Sequence, residues 1–177
     1  MRRCMKNLLI VIDYQNDFVD GALGFAGAEK LEPFIVSKID ETLKDGDDLV
    51  FTYDTHEKDY METEEGKHLP IPHCLKGSKG WELYGRLNEY KDKTVASFDK
   101  PTFGSLELGK WLEGKEYENI TLVGLVSNIC VISNAIMVKA ALPNAHIIVE
   151  SKGTLSFDPK LHQETLDVLK GLHVEVR

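Results

Sequence analysis

Leu8-Leu9-Ile10-Val11-Ile12-Asp13 runs five apolar residues straight into a carboxylate. A continuous apolar run this short is the pattern of a strand buried on both faces, since a half-exposed strand would alternate and a helix would show a longer period. Similar runs return at residues 49–53, 94–98, 120–124, 146–149 and 173–176. Between them, Leu31, Phe34, Ile35, Ile39 and Leu43, and later Leu161, Leu166, Leu169 and Leu172, recur at helical spacing. Strand, helix, strand repeated in this way requires parallel pairing with right-handed crossovers. The sequence therefore predicts a three-layer α/β/α fold around a mostly parallel six-stranded sheet, built as one domain over residues 1–177.

The chain has 177 residues, 42% of them hydrophobic, enough for one sizeable core. Lys and Arg number 21 against 29 Asp and Glu, a net charge of -8, and no basic cluster interleaves with aromatics. That balance excludes nucleic acid and anionic membranes as expected partners. The basic start Met1-Arg2-Arg3 is followed by an apolar run that stops at Asp13, too short for a signal segment or a span, so a cytoplasmic location is expected. Cys4, Cys74 and Cys130 are odd in number and far apart, which suggests neither a disulfide framework nor a thiolate zinc site. The stretch 54–80 breaks the rhythm with Pro70, Pro72 and several acidic residues, and a loop that long in a compact domain is usually functional.

In an open parallel sheet, ligands sit beyond the carboxyl ends of the strands, where strand order reverses. The first four strands deliver Asp13, then Asp54 and His56, then Asp99 and Lys100, then residues 127–130 to that edge. Cys130 stands where a strand turns into an apolar helix, and a helix N-terminus lowers a thiol pKa and offers outward N–H groups. Asp13 follows an apolar run, and desolvation there would raise its pKa and fit it to take a thiol proton. Lys100 could pair with that carboxylate. Singly, each has a plainer reading: a buried structural cysteine, a cap for a turn, a solvated lysine. Their shared edge is what favours chemistry.

Asp54 and His56, two apart in extended chain, point the same way and form a two-ligand bite for a divalent metal. His73 could close the site, with Glu64 or Glu65 completing a nitrogen and oxygen set suited to zinc, iron or manganese. Cys74 is a candidate sulfur ligand with packing as the favoured role. Gly21, Gly24 and Gly27 do not have dinucleotide-binding spacing. Gln15 stands where an aspartyl phosphatase would need a second carboxylate.

Ile12-Asp13-Tyr14-Gln15-Asn16-Asp17-Phe18-Val19 with Gly21-Ala22-Leu23, and Gly124-Leu125-Val126-Ser127-Asn128-Ile129-Cys130-Val131, resemble the opening and nucleophile motifs of the isochorismatase-like cysteine hydrolases. Lys100 matches the family's lysine after the third strand, and the resemblance covers essentially the whole chain. Asp54-x-His56 with His73-Cys74-Leu75-Lys76-Gly77 is similar to the metal-binding pattern of the nicotinamidases, which also hydrolyse pyrazinamide. The resemblance implies Asp13, Lys100 and Cys130 as catalytic residues. It implies an oxyanion hole from the backbone N–H groups of Val126 and Cys130, with a cis peptide at Leu125-Val126. It also implies one divalent metal, zinc with iron or manganese as alternatives, on Asp54, His56, His73 and Glu65, where Glu64 stays open. Phe18 matches the residue that packs on the substrate ring, and Phe103 could serve as a second pocket aromatic. The implied partner is a small-molecule amide, with a homo-oligomer as one assembly such proteins adopt. Pro70-Ile71-Pro72 and Pro101-Thr102-Phe103-Gly104-Ser105 depart from the nicotinamidase pattern on the ring-binding wall, which leaves another small amide as the alternative substrate.

Overall fold

The computed structural model describes residues 5–177, so Cys4 and the basic start lie outside the described residues. Six strands form one all-parallel sheet: β1 Lys6–Ile12, β2 Asp48–Asp54, β3 Ala96–Lys100, β4 Tyr117–Leu125, β5 His146–Leu155 and β6 Glu175–Val176. Their spatial order is β3-β2-β1-β4-β5-β6. The helices are α1 Asn16–Val19, α2 Glu32–Lys44, α3 Glu64–His68, α4 Leu106–Leu112, α5 Ile132–Ala141 and α6 Pro159–Gly171.

The opening apolar run has no alternation because both faces of β1 are covered. Leu8, Ile10 and Ile12 pack with Leu108 of α4, Val138 of α5 and Leu169 of α6. Leu9 and Val11 pack on the other side with Ile35, Val36 and Ile39 of α2. These are the three layers expected. The chain builds outward from β1 to β3, then returns to β4 on the other flank of β1. Strand order thus reverses between β1 and β4, and in open parallel sheets the carboxyl ends at such a reversal are where ligands bind.

Four elements differ from the sequence reading, the simplest being β6, which begins at Glu175 and not at residue 173. β3 begins two residues late, leaving Val95 half exposed and making Asp99 and Lys100 strand residues paired with Tyr53 and Asp54. As an edge strand it needs no continuous apolar run, so the apolar signal misplaced it. β5 continues through the polar residues 150–153, across a register shift on β4 between Leu122 and Gly124. The stretch 54–80 is not all loop. It contains a 3-10 turn, Tyr60–Glu62, and α3, whose first turn is capped by Thr63 Oγ1 accepting the Gly66 N–H at 3.0 Å. A helix of five residues is too short to show an apolar stripe. No described helix is long and apolar enough to cross a membrane.

Candidate active site

β1 ends in Asp13, whose φ of 46° lies in the left-handed region that side chains rarely occupy. Two bonds from β2 hold it there: its N–H donates to the Thr52 carbonyl at 3.2 Å and its Oδ1 accepts the Thr52 hydroxyl at 2.7 Å. The other oxygen, Oδ2, meets Lys100 Nζ at 2.5 Å. Lys100 reaches in from the end of β3 and lies 3.5 Å from Cys130 Sγ and 3.6 Å from Asp54 Oδ1, while donating to the Thr102 carbonyl at 2.9 Å. Asp13, Lys100 and Cys130 are all buried.

β4 brings Cys130 to the same edge of the sheet, against Lys100. Gly124 has a φ of 119°, and a Cβ there would collide with the Ile12 carbonyl, so glycine is what lets β4 close against β1 at the reversal point. The Leu125-Val126 peptide is cis. One turn of π-helix, Ser127–Val131, then leads into α5. Cys130 lies inside this wide turn rather than at the α-helix N-terminus, and its thiol is not depressed as the sequence suggested. Burial, the largest influence, pushes it well above the ordinary thiol range, and the Lys100 charge only partly offsets this. Burial likewise raises Asp13 against the pull of Lys100. Burial would neutralise Lys100, but the charges of Asp13 and Asp54 hold it protonated. Burial thus favours the protonated form of the sulfur.

A second cluster adjoins the first through Asp54. Asp54 Oδ2 lies 2.9 Å from His56 Nε2 and 3.2 Å from His73 Nε2, and Glu65 Oε1 lies 3.6 and 3.5 Å from the same two nitrogens. Burial would raise the Asp54 carboxyl, but His56, His73 and Lys100 hold it well below the usual range. The loop is folded back to make this meeting: His56 N–H donates to the Cys74 carbonyl at 3.0 Å and Lys76 N–H to the His56 carbonyl at 2.9 Å. His73 Nδ1 faces the Ile71 carbonyl at 2.8 Å, which directs Nε2 inward.

The four residues fit a divalent cation. One donor atom from each lies within 4.8 Å of all the others. Tetrahedral ligands about 2.1 Å from zinc would stand about 3.4 Å apart, near the separations observed. Glu65 Oε2 is buried with no partner among the described residues, an orphan that a cation would satisfy. Two imidazole nitrogens with two carboxylates suit zinc, iron or manganese.

Of the residues singled out in the sequence, Asp13, Lys100, Cys130, Asp54, His56, His73 and Glu65 thus converge. Glu64 is exposed and faces Lys67 and His68 instead. Phe18 is half-buried, its ring 5.6 Å from that of His73. Phe103 is 44% exposed, and its carbonyl rather than its ring is engaged by Asn134. Cys74 is buried outside the ligand group, and its N–H donates to Asp17 Oδ2 at 2.7 Å.

Two residues were missed. Gln15 clamps Asp54, donating to its carbonyl at 2.9 Å and accepting its N–H at 2.8 Å. Asp17 ties the His73 limb to α1 through Cys74. Both belong to the opening motif quoted above, but their partners lie about forty and sixty residues away, beyond any local pattern.

Residues 7–177 match a family model described as the isochorismatase domain. A Bacillus subtilis protein, described as uncharacterized isochorismatase family protein PncA, is 32% identical over 174 residues, spanning 89% of this chain and 91% of that one. The crystal structure of nicotinamidase PncA from Bacillus subtilis superposes with a TM-score of 0.84 at 32% identity, covering 97% of this chain and 99% of that one. A pyrazinamidase/nicotinamidase from Streptococcus mutans UA159 gives 0.85 at 26% identity, covering 97% and 100%. With the family model spanning nearly its whole length, the chain belongs to the isochorismatase family.

Proposed function

We propose that this protein is a metal-dependent amidohydrolase that converts nicotinamide to nicotinate and ammonia through a thioester on Cys130. The observation that carries the reading is the buried Lys100 ammonium in contact with Asp13, Cys130 and Asp54, beside a four-residue ligand set. Relatives at 26–32% identity named as nicotinamidases support the substrate. The setting expected from the sequence is cytoplasmic, with a small-molecule amide as partner.

Asp13 takes the Sγ proton as sulfur attacks the carboxamide carbon, while Lys100 remains protonated and balances the charge passing between them. The N–H groups of Val126 and Cys130 receive the oxyanion. When the C–N bond breaks, Asp13 returns the proton to the departing nitrogen, which leaves as ammonia. Water then attacks the thioester and gives one proton to Asp13, which returns it to sulfur as the C–S bond breaks; the acid product loses its remaining proton to solvent and leaves as the carboxylate. A divalent cation on Asp54, His56, Glu65 and His73, zinc with iron or manganese as alternatives, would supply an electrophilic contact for the pyridine nitrogen. Phe18, against His73, would pack on the ring.

The test is ammonia release from nicotinamide by purified protein, before and after chelation and restoration of zinc, manganese or iron. Release that depends on the metal is expected. A second reading, hydrolysis of another small amide by the same thiol, is favoured by one observation: Phe103, expected as a second pocket aromatic, is exposed. No release from nicotinamide with a reactive Cys130 would select it.

A further inference from the structure

α5 contains a fully buried amide side chain, Asn134, that the mechanism above does not use. A buried amide is costly unless its groups are bonded, and this one is well used. Its Oδ1 accepts the Ser105 N–H at 2.9 Å, and its Nδ2 donates to the Phe103 carbonyl at 3.0 Å and to the Cys130 carbonyl at 2.8 Å. Two of these bonds grip the segment that follows Lys100, and the third grips the turn that holds Cys130. Lys100 is tied into the same segment, since its Nζ donates to the Thr102 carbonyl while touching Cys130 Sγ. The contacts close a ring in which Asn134 joins the lysine segment to the cysteine turn. Cys130 and Lys100 arrive from β4 and β3, which are not neighbours in the sheet, so strand pairing does not hold them directly together.

We propose that Asn134 is a positioning residue, setting the lysine segment against the cysteine turn so that the Lys100 ammonium stays on the Cys130 sulfur. The inference rests on Cys130 being the nucleophile. It does not depend on which amide is the substrate.

The experiment compares Asn134→Ala and Asn134→Ser with wild type, reading alkylation of Cys130 by iodoacetamide at pH 9 from the mass of its peptide, and nicotinamide turnover. Serine can still bond the Cys130 carbonyl one turn back, so this variant keeps the helix contact and releases only the lysine segment. Asn7→Ala is the control for general loss of stability. Asn7 bonds Asp47 at 2.9 Å and Asn119 at 2.8 Å at the opposite end of β1. Both Asn134 variants are expected to alkylate about tenfold more slowly and to lose about tenfold in kcat, with KM within about threefold of wild type. Asn7→Ala should melt at a lower temperature with alkylation and kcat unchanged. Wild-type alkylation and kcat in folded Asn134→Ser would overturn the inference. Slow alkylation in the variants of a protein that hydrolyses no amide would uphold the positioning role while removing the amidase reading.

Discussion

The two halves of the site are built differently. Asp13, Lys100 and Cys130 leave the ends of β1 and β3 and the turn after β4, so all three start from the edge of one sheet. In the other half only Asp54 belongs to a strand; Glu65 and His73 ride on the stretch 54–80 and are held by Gln15, Asp17 and the His56–Cys74 backbone pairing. The difference teaches a division of labour. The groups proposed to make bonds sit at strand ends, and the groups that would orient a substrate sit on a segment that can be rebuilt without touching the sheet.

If that division is real, each half can be broken alone. Cys130→Ala should reduce ammonia release by roughly 10⁴-fold or more while leaving bound metal, measured by atomic absorption, at the wild-type level. Asp13→Asn should lose roughly 10³-fold and form no thioester by mass spectrometry; a burst of ammonia would refute the base assignment. This variant also strands the buried Lys100 charge, a cost of about 3–5 kcal/mol that a melting curve would register.

On the other side, His56→Ala should strip the metal and raise KM at least about tenfold, yet leave Cys130 alkylation within about threefold of wild type. Asp17→Ala is the gentler version. It removes a support rather than a ligand, and metal affinity by titration should fall about tenfold. Loss of thiol reactivity in either variant would mean that the halves are not separable.

The smallest effect is a pH slope. Burial holds the folded Cys130 thiol above its unfolded value, so as pH rises past about 8.5 the unfolded chain releases a proton that the folded one keeps. Folding stability should therefore decline between about pH 8.5 and 10, and the decline in urea midpoint should be shallower in Cys130→Ala. Cys74 is raised by burial too and would leave a residual slope of the same sign.

The same contrast explains what could be read in the sequence. Asp13, Asp54 and Cys130 end or follow apolar runs, so strand periodicity alone brought them to one edge. Asp54 and His56 were legible because an extended chain repeats every two residues. Glu65 over Glu64 was not, because the choice depends on α3, one short helix inside an irregular stretch. The thiol's protonation was misread for a related reason. A helix terminus can be inferred from sequence, whereas full desolvation by β1, β3 and α5 exists only once the fold has closed.

Lys100 lies on β3, an edge strand bonded to β2 alone. Edge strands lack half their ladder partners and open before central ones. When β3 frays, the site's cation leaves with it, while β1 and β4 keep the sheet and its cores assembled. Local opening on warming is thus expected to begin at the margin of the sheet and not at its centre. Ammonia release is expected to fade at temperatures where circular dichroism still reads a folded molecule, and to return on cooling, because the intact strands remain as a template for the one that left.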